Sequence, residues 1–407
     1  MSRIALVHDY FIQMGGAERV AEALHHLFPG APLYTTVAIP ERVTPGLRDA
    51  AIHTSWMQHL PAVGSKFRQY FLLYPFAVES LDLSDYSLVL SSSSGYGKGV
   101  HRGKGAVHVC YCHTPMRWVW RYDDYAAREG FGTLSRFALP AMLSGLRWWD
   151  LRAAQQPDHY IANSRCVAER IRQVYGREAT VIPPPIDVNR FQPGRVEDDY
   201  YLVLSRLIPY KRIDLAIEAC TRLGRPLVII GDGPDRKRLE KMAGPGVEFL
   251  GRQSDATVKR YASRCRALLF PGEEDFGMTP LEINAAGRPV IAYRAGGALE
   301  TVVEGATGLF FNEATSDSLC AAIEEFEFYS WDQRQLRRHA EKFSYPVFAA
   351  RMLEFLRAVA PPACAEELTA LAQPLPEEDQ EYTVLSDHTP AFTAASQRVI
   401  TLQESQR

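Results

Sequence analysis

YYLVLSRLIPYKRIDLAIEACTRLGRPLVIIGD (200–232) decides the fold. A β-branched and aromatic run opens it, a basic turn and an amphipathic stretch follow, and a second β-branched run closes it. YYLVLSR (200–206) and PLVIIGD (226–232) read as strands, and IDLAIEACTRLG (213–224) reads as the helix between them. A strand–helix–strand unit of this kind builds a parallel sheet. Downstream the same rhythm continues through VEFLG (247–251), ALLFPG (267–272), PVIAYRA (289–295) and GLFF (308–311), with TVKRYASRC (257–265) among the helices. Upstream lies a second series: IALVHD (4–9), PLYTTV (32–37), SLVLSSS (87–93), VHVCYC (107–112) and HYIANS (159–164), with a helix over GGAERVAEALHHLF (15–28).

The two series meet at TVIPPPIDVNRFQPG (180–194). Three consecutive prolines offer no amide donors and suit a stiff connector between two sheets. The expected organisation is therefore α/β, with two Rossmann-like domains over 1–182 and 183–344. A helix over 345–360 follows and could pack back on the first domain. Residues 361–407, acidic, polar and dotted with proline, are expected to be disordered.

Composition is that of a globular protein: 407 residues, 46% hydrophobic and 23% charged, which excludes a wholly disordered, collagen-like or coiled-coil chain. The formal charge of −3 implies no strong attraction to nucleic acid. Residues 361–407 carry 8 acidic and 2 basic side chains, so the remaining body stands near +3. Seven cysteines, an odd number with no framework of spacings, point to a reducing compartment. Cys110, Cys112 and His113 form the only cluster, and no second pair completes the roughly four ligands of a zinc site. VHVCYCHT reads instead as a buried strand, and no metal is expected. MSRIALVHDYF breaks its apolar run at His8-Asp9, unlike a signal peptide. The longest apolar stretch, FLLYPFAV (71–78), falls far short of the ~20 residues that span a bilayer. A cytoplasmic location, or attachment to a membrane from the cytosol, is expected. Residues 56–76 and 116–149 interleave aromatics with arginine. That pattern suits either core packing or contact with an anionic lipid surface.

FPGEEDFGMTPLEINAAGRPVIAYRAGGALETVVEGATGLFF (270–311) is the densest candidate for chemistry. A strand ends in an acidic loop, and Thr279-Pro280 opens a helix. The amides of Gly277, Met278 and Thr279 at that helix N-terminus suit a phosphate. Glu274 and Glu282, eight residues apart, can aim one carboxylate at each end of a ligand lying across those amides. Carboxylates accept two hydrogen bonds from a diol. Acidic residues beside a helix N-terminus also simply favour its dipole. Arg206 and Lys211, just past the end of YYLVLSR, add two cations where ligands bind open parallel sheets. Together these features suggest a diphosphate clamp. GDGPD (231–235) is a tight turn at the next strand end, either touching the ligand or only turning the chain.

In this order, SRLIPYKR, GDGPD, FPGEEDFGMTPLE and AGGALETV resemble the C-terminal half of family-4 retaining glycosyltransferases. VHDYFIQMGGAERV (7–20) resembles that family's N-terminal glycine loop, and CHTPMRW (112–118) its His-bearing loop. The resemblance extends over roughly residues 3–358. EEDFGMTPLE, HTPMRW and GGALETVVEG most resemble bacterial mannosyltransferases that build O-antigen or exopolysaccharide. The resemblance implies a GT-B fold, two facing Rossmann-like domains with a nucleotide-diphosphate sugar in the cleft. It implies that Glu274 contacts hexose hydroxyls and Glu282 the ribose. Arg206 and Lys211 would neutralise the leaving diphosphate, helped by Gly277, Met278 and Thr279. Gly15 and Gly16 would let the N-terminal loop approach phosphate or acceptor, and His113 would sit near the donor sugar. Asp9 could bind acceptor, and at least one of Glu273 and Asp275 would merely shape the loop. No D-x-D triplet occurs in the chain, which fits transfer without metal or other cofactor.

The implied donor is GDP-mannose, and the implied acceptor a saccharide on a polyprenyl diphosphate at the cytosolic membrane face. Alternatives are a UDP-glucose or UDP-N-acetylglucosamine transferase, a sugar-nucleotide epimerase of related fold, and a non-catalytic sugar-nucleotide-binding scaffold.

Overall fold

The computed structural model describes residues 2–120, 135–194 and 198–371. The first sheet holds β1 (Ile4–His8), β2 (Leu33–Thr35), β3 (Ile52–Thr54), β4 (Leu88–Ser93), β5 (Val107–Cys112), β6 (His159–Ala162) and β7 (Ala179–Val181), in the order 3-2-1-4-5-6-7. The second holds β8 (Tyr201–Leu204), β9 (Leu227–Ile230), β10 (Val247–Gly251), β11 (Leu268–Phe270), β12 (Val290–Tyr293) and β13 (Gly308–Phe311), in the order 10-9-8-11-12-13. Every neighbouring pair is parallel. In both sheets the winding reverses beside the first strand, between β1 and β4 and between β8 and β11. Such a switch point opens a crevice at the carboxyl ends of the strands.

All the strands expected from sequence are present. Two more, β3 and β7, were not expected. Both are edge strands, and IHT and ATV are half-exposed and carry no apolar run. β7 takes up the first two residues of the expected connector, so the chain leaves the first sheet only at Ile182. There the Tyr111 hydroxyl donates to the Ile182 carbonyl at 2.8 Å.

One face of the first sheet joins Ile4, Leu6, Leu88 and Leu90 to Val20, Leu24 and Leu27 of the Gly16–Leu27 helix. Phe348, Met352, Leu353 and Leu356 of the Tyr345–Val359 helix fill the same core. That last helix therefore follows the second sheet in sequence but packs beneath the first. Each such side chain stabilises by roughly 1.5–3 kcal/mol when taken from water.

The chain beyond Pro361 departs from the expected disorder. A short turn, Pro362–Cys364, and the Ala365–Ala370 helix bury Cys364 and Leu368 in that core. Glu367 accepts from Ser2 Oγ at 2.6 Å and from the Arg3 amide at 3.0 Å. The acidic, proline-dotted composition masked two apolar residues spaced four apart, one helical face. Residues 372–407 lie outside the described residues, as do 121–134 of the aromatic-rich stretch.

Elsewhere that stretch divides. Phe67, Tyr70, Phe71, Trp118 and Trp120 pack against the core on the sheet's other face, and Trp149 is buried in it. Phe76 and Trp148 stay 65% and 64% exposed, so the core accounts for only part of the pattern. Among the described residues no helix is long and apolar enough to cross a membrane.

Candidate functional site

The carboxyl end of β8 runs into the loop carrying Arg206 and Lys211. GDGPD supports that loop from below. Gly231 has φ +140°, and a Cβ there would lie 1.8 Å from the Ser205 carbonyl oxygen. The Leu207 amide donates to the Asp232 carbonyl at 3.0 Å, and the Asp235 amide to the Leu207 carbonyl at 3.0 Å. GDGPD thus holds the cationic loop in place. Gly272, after β11, does the same from the other side, since a Cβ there would sit 2.8 Å from the Lys211 Cα. This close approach sets the Lys211 ammonium against the Glu274 carboxylate, with both side chains largely buried. Burial, then the guanidiniums of Arg206 and Arg117, push the Lys211 ammonium down to about 7, while Asp275 favours its charged form.

Past Glu274, Gly277 has φ +87° and starts the Met278–Ala285 helix without a side-chain cap. Its first amides, with Met278 and Thr279 in the first turn, lie between Glu274 and Glu282. Glu282 is 6% exposed. Its Oε1 meets the guanidinium of Arg19, from the first domain, and that of Arg190 at 3.1 Å. Arg190 also donates to Asp255 Oδ1 at 2.7 Å.

The first domain faces this shelf with the carboxyl ends of β1, β4 and β5. Gly15 precedes the Gly16–Leu27 helix, and a Cβ on Gly16 would lie 3.2 Å from Met278 Sδ. The glycine loop therefore abuts the first turn of the Met278–Ala285 helix. Gln13 in that loop accepts from Arg206 at 3.3 Å. Glu18, in the first turn, is buried, and burial raises its carboxyl above the ordinary range.

His113 follows β5, with Nε2 2.8 Å from Ser92 Oγ and its carbonyl accepting from Asn163 Nδ2 at 3.0 Å. Burial, then His8, lowers its imidazole to about 3. The ring is therefore neutral at physiological pH and can exchange hydrogen bonds but not supply charge.

Asp9 is not placed to meet an acceptor. It is 1% exposed and accepts from Ser93 Oγ at 2.9 Å, Ser94 N at 2.7 Å, Ser94 Oγ at 3.1 Å and Gly97 N at 2.5 Å. A carboxylate so fully satisfied organises the 93–97 loop.

The structure thus brings Lys211 to Glu274, with Arg206 close enough to act on the Lys211 ammonium, and the helix start at Gly277–Thr279 follows Glu274 in the chain. Glu282 sits further along the same helix, with Gly15 and Gly16 opposite. Four arginines were not singled out as site residues from sequence: Arg19, Arg117, Arg170 and Arg190. Arg19 and Arg117 lie inside the quoted GGAERV and HTPMRW motifs. Arg170 and Arg190 carry no local signal, because an arginine on a helix face or in a turn reads as solvated. Among the described residues no group of three or more His, Cys, Asp or Glu side chains is arranged to hold a metal ion. Cys110 and Cys112 are buried in β5, where burial raises both thiols.

Comparison with known proteins follows this division of the chain. Residues 14–190 match the model described as Glycosyltransferase Family 4, and residues 185–343 match Glycosyl transferases group 1. A GDP-mannose-dependent alpha-(1-6)-phosphatidylinositol monomannoside mannosyltransferase of Mycolicibacterium smegmatis is 30% identical over 46% of this chain and 56% of its own. A D-inositol 3-phosphate glycosyltransferase of Geodermatophilus obscurus is 29% identical over 54% of this chain and 55% of its own. The chain spans about half the length of these curated relatives. Among solved structures, Anabaena Alr3699/HepE in complex with UDP and glucose superposes with a TM-score of 0.65 at 17% identity, over 88% of this chain and 100% of that one. Sucrose-phosphate synthase from Thermosynechococcus elongatus gives 0.64 at 17% identity, over 88% and 99%. At that identity the likeness shows the fold.

Proposed function

We propose that this chain, which carries family 4 and group 1 glycosyltransferase domains on a GT-B fold, moves a hexose from a nucleotide-diphosphate sugar to a saccharide acceptor with retention of configuration. One observation carries the proposal: at the β8–β11 crevice Lys211 meets Glu274, Arg206 lies on the same loop as Lys211, and an uncapped helix N-terminus separates Glu274 from Glu282.

In this reading Arg206, Lys211 and the amides of Gly277, Met278 and Thr279 receive the diphosphate. Glu274 orients the hexose hydroxyls, Glu282 takes the ribose diol, and Gly15 and Gly16 let the first domain close on the phosphates. The bond from the anomeric carbon to the phosphate oxygen breaks, and the electron pair stays on the phosphate. The acceptor oxygen attacks from the same face, and the leaving phosphate takes its proton. Cations and amides already aimed at the phosphate stabilise the growing negative charge more than they stabilise the ground state. His113, held neutral, offers a hydrogen bond to the sugar. No metal or other cofactor enters this scheme, so a chelator should leave the rate unchanged.

The favoured donor is GDP-mannose, supported by the name of the Mycolicibacterium relative. A UDP-sugar is the second reading, favoured by the Anabaena structure solved with UDP and glucose. The favoured acceptor is a polyprenyl-diphosphate-linked saccharide of surface-polysaccharide synthesis, met at the cytosolic membrane face. Exposed Phe76 and Trp148 support peripheral contact with the bilayer, since large apolar rings suit an interface.

The test is incubation with GDP-mannose, UDP-glucose and UDP-N-acetylglucosamine, with and without a membrane lipid extract. Lipid-dependent nucleotide release, lost by two or more orders of magnitude in Glu274→Gln with folding intact, is the expected result. Binding with no turnover of any donor would overturn the proposal in favour of a scaffold. Turnover of donor alone to an isomeric sugar nucleotide would favour an epimerase.

A further inference from the structure

Glu273, Glu274 and Asp275 are three consecutive carboxylates, and the fold sends them to different partners. Glu274 meets Lys211 of its own domain. The flanking two turn to the first domain. Arg170 donates to Glu273 Oε1 at 3.0 Å and also meets Asp275 Oδ1. Arg117 Nη2 lies 2.5 Å from the same Asp275 oxygen and stacks 5.0 Å from the Tyr210 ring centroid, next to Lys211.

The loop's backbone is held as well. Ser164, which caps the Arg165–Tyr175 helix, donates from Oγ to the Asp275 carbonyl at 2.5 Å. From the second domain, the Gly297 amide donates to the Glu274 carbonyl at 2.8 Å. Glu300, on the short helix begun at Gly297, accepts from the Arg165 amide at 2.9 Å and the Cys166 amide at 3.4 Å. The segment carrying Glu274 is thus held between Gly297 of its own domain and the Arg165–Tyr175 helix, with its Ser164 cap, of the other.

Arg170 sits at the centre of this arrangement. Its side chain is 18% exposed, and its two terminal nitrogens reach the two carboxylates on either side of Glu274. A planar, forked guanidinium can bridge two carboxylates in a fixed geometry, which a lysine cannot. Without it, two carboxylates flanking Glu274 lose a shared cation and repel one another.

We propose that Arg170 is a positioning residue: through Glu273 and Asp275 it fixes the Glu274 loop when the two domains are docked, so that the hexose-binding carboxylate is in place only in the closed cleft. This rests on the functional reading above and deepens it. In that reading the nucleotide half of the donor is held by Arg206, Lys211 and Glu282, with Gly15 and Gly16 against the phosphates, and none of these residues touches Arg170. Nucleotide binding and sugar transfer should therefore respond differently to loss of Arg170.

The test uses the full chain with Arg170→Gln, Asp275→Asn, the double variant and Arg170→Lys. Kinetics are measured on whichever of GDP-mannose and UDP-glucose turns over, and calorimetric binding is measured with GDP and UDP. A misplacement on the order of 1 Å near reacting atoms costs roughly 10²-fold. Arg170→Gln should therefore lower kcat by about 10²-fold, with nucleotide affinity within about 3-fold of wild type. The double variant should lose less than the product of the two single losses, because the Arg170–Asp275 contact is shared while Arg170–Glu273 and Arg117–Asp275 are not, and Arg170→Lys should recover only part of the rate. Wild-type kcat in Arg170→Gln, losses that multiply in the double variant, or a nucleotide affinity that falls in step with kcat would overturn the proposal. Failure of the functional reading is recognised separately, by a wild-type chain that transfers nothing or a Glu274→Gln variant that transfers normally.

Discussion

Gly297→Ala isolates the effect of moving the Glu274 loop. Gly297 has φ −66° and ψ −16°, an ordinary helical conformation, so alanine adds no backbone strain there. What it adds is a methyl group 2.2 Å from the Phe276 Cα and 2.3 Å from the Phe276 carbonyl oxygen. These are backbone atoms and cannot rotate away. Restoring contact to roughly 3.5 Å requires the loop or the helix to shift by about 1 Å. Overpacking of this kind costs about 1–3 kcal/mol, a drop of a few degrees in Tm. The same shift moves Glu274, whose carbonyl is bonded to the Gly297 amide, and should lower kcat by about 10²-fold. Gly30→Ala is the control, because nothing lies within 4 Å of a Cβ there. Steady-state transfer and thermal unfolding of both variants supply the measurement. A Gly297→Ala enzyme with wild-type kcat would refute the link between close backbone approach and carboxylate placement.

The titration of Lys211 predicts that donor binding depends on pH. A protonated ammonium attracts the diphosphate, so affinity is full below about 7 and is lost as pH rises through that value, by at most one logarithmic unit per pH unit. Lys211→Arg should flatten the donor KM profile between pH 7 and 9, and an unchanged slope would remove the lysine from the phosphate site. If Glu282 takes the ribose diol as proposed, Arg19 competes for its Oε1, which Arg190 also meets, so Arg19→Ala should tighten GDP or UDP binding a few-fold. Calorimetry showing a tenfold weakening instead would make Arg19 a ligand contact. Lys98 and Asp150 form an ion pair at 2.5 Å with both side chains at most 2% exposed. Lys98→Met strands the carboxylate with only Trp120 and Tyr175 as donors and should cost about 3–5 kcal/mol in equilibrium unfolding. A loss under 1 kcal/mol would refute the reading of Lys98 and Asp150 as a buried ion pair.

Much of the second domain was legible in the primary structure. Its strands are three- to five-residue apolar runs between turns, and each of its expected strands is present. The residues proposed as a clamp could be named from sequence because Arg206, Lys211, Glu274 and Glu282 each lie within a few residues of a strand end or a helix start. Strands β3 and β7 were not legible, because these edge strands are half-exposed and lack the apolar run that made the equally short β2 and β11 legible. The Ala365–Ala370 helix was hidden by acidic composition. Asp9 looked available from its place at the end of β1. Its burial depends on a loop 84 to 88 residues further along, which supplies all four donors.

What the sequence by itself determined is the pair of wound sheets and the inventory of charged groups at their carboxyl ends. Period, turn chemistry and helix starts are local properties, written within ten or fifteen residues. What only the tertiary structure decided is how those charges are paired. Glu282 finds Arg19 across 263 residues, and Asp275 finds Arg170 and Arg117 across 105 and 158. Arg170 reads from its own helix as one more solvated cation. It becomes a strut because two domains dock and bring it between two carboxylates. Charge pairing depends on separation in space, and no local pattern encodes a distance that docking alone creates.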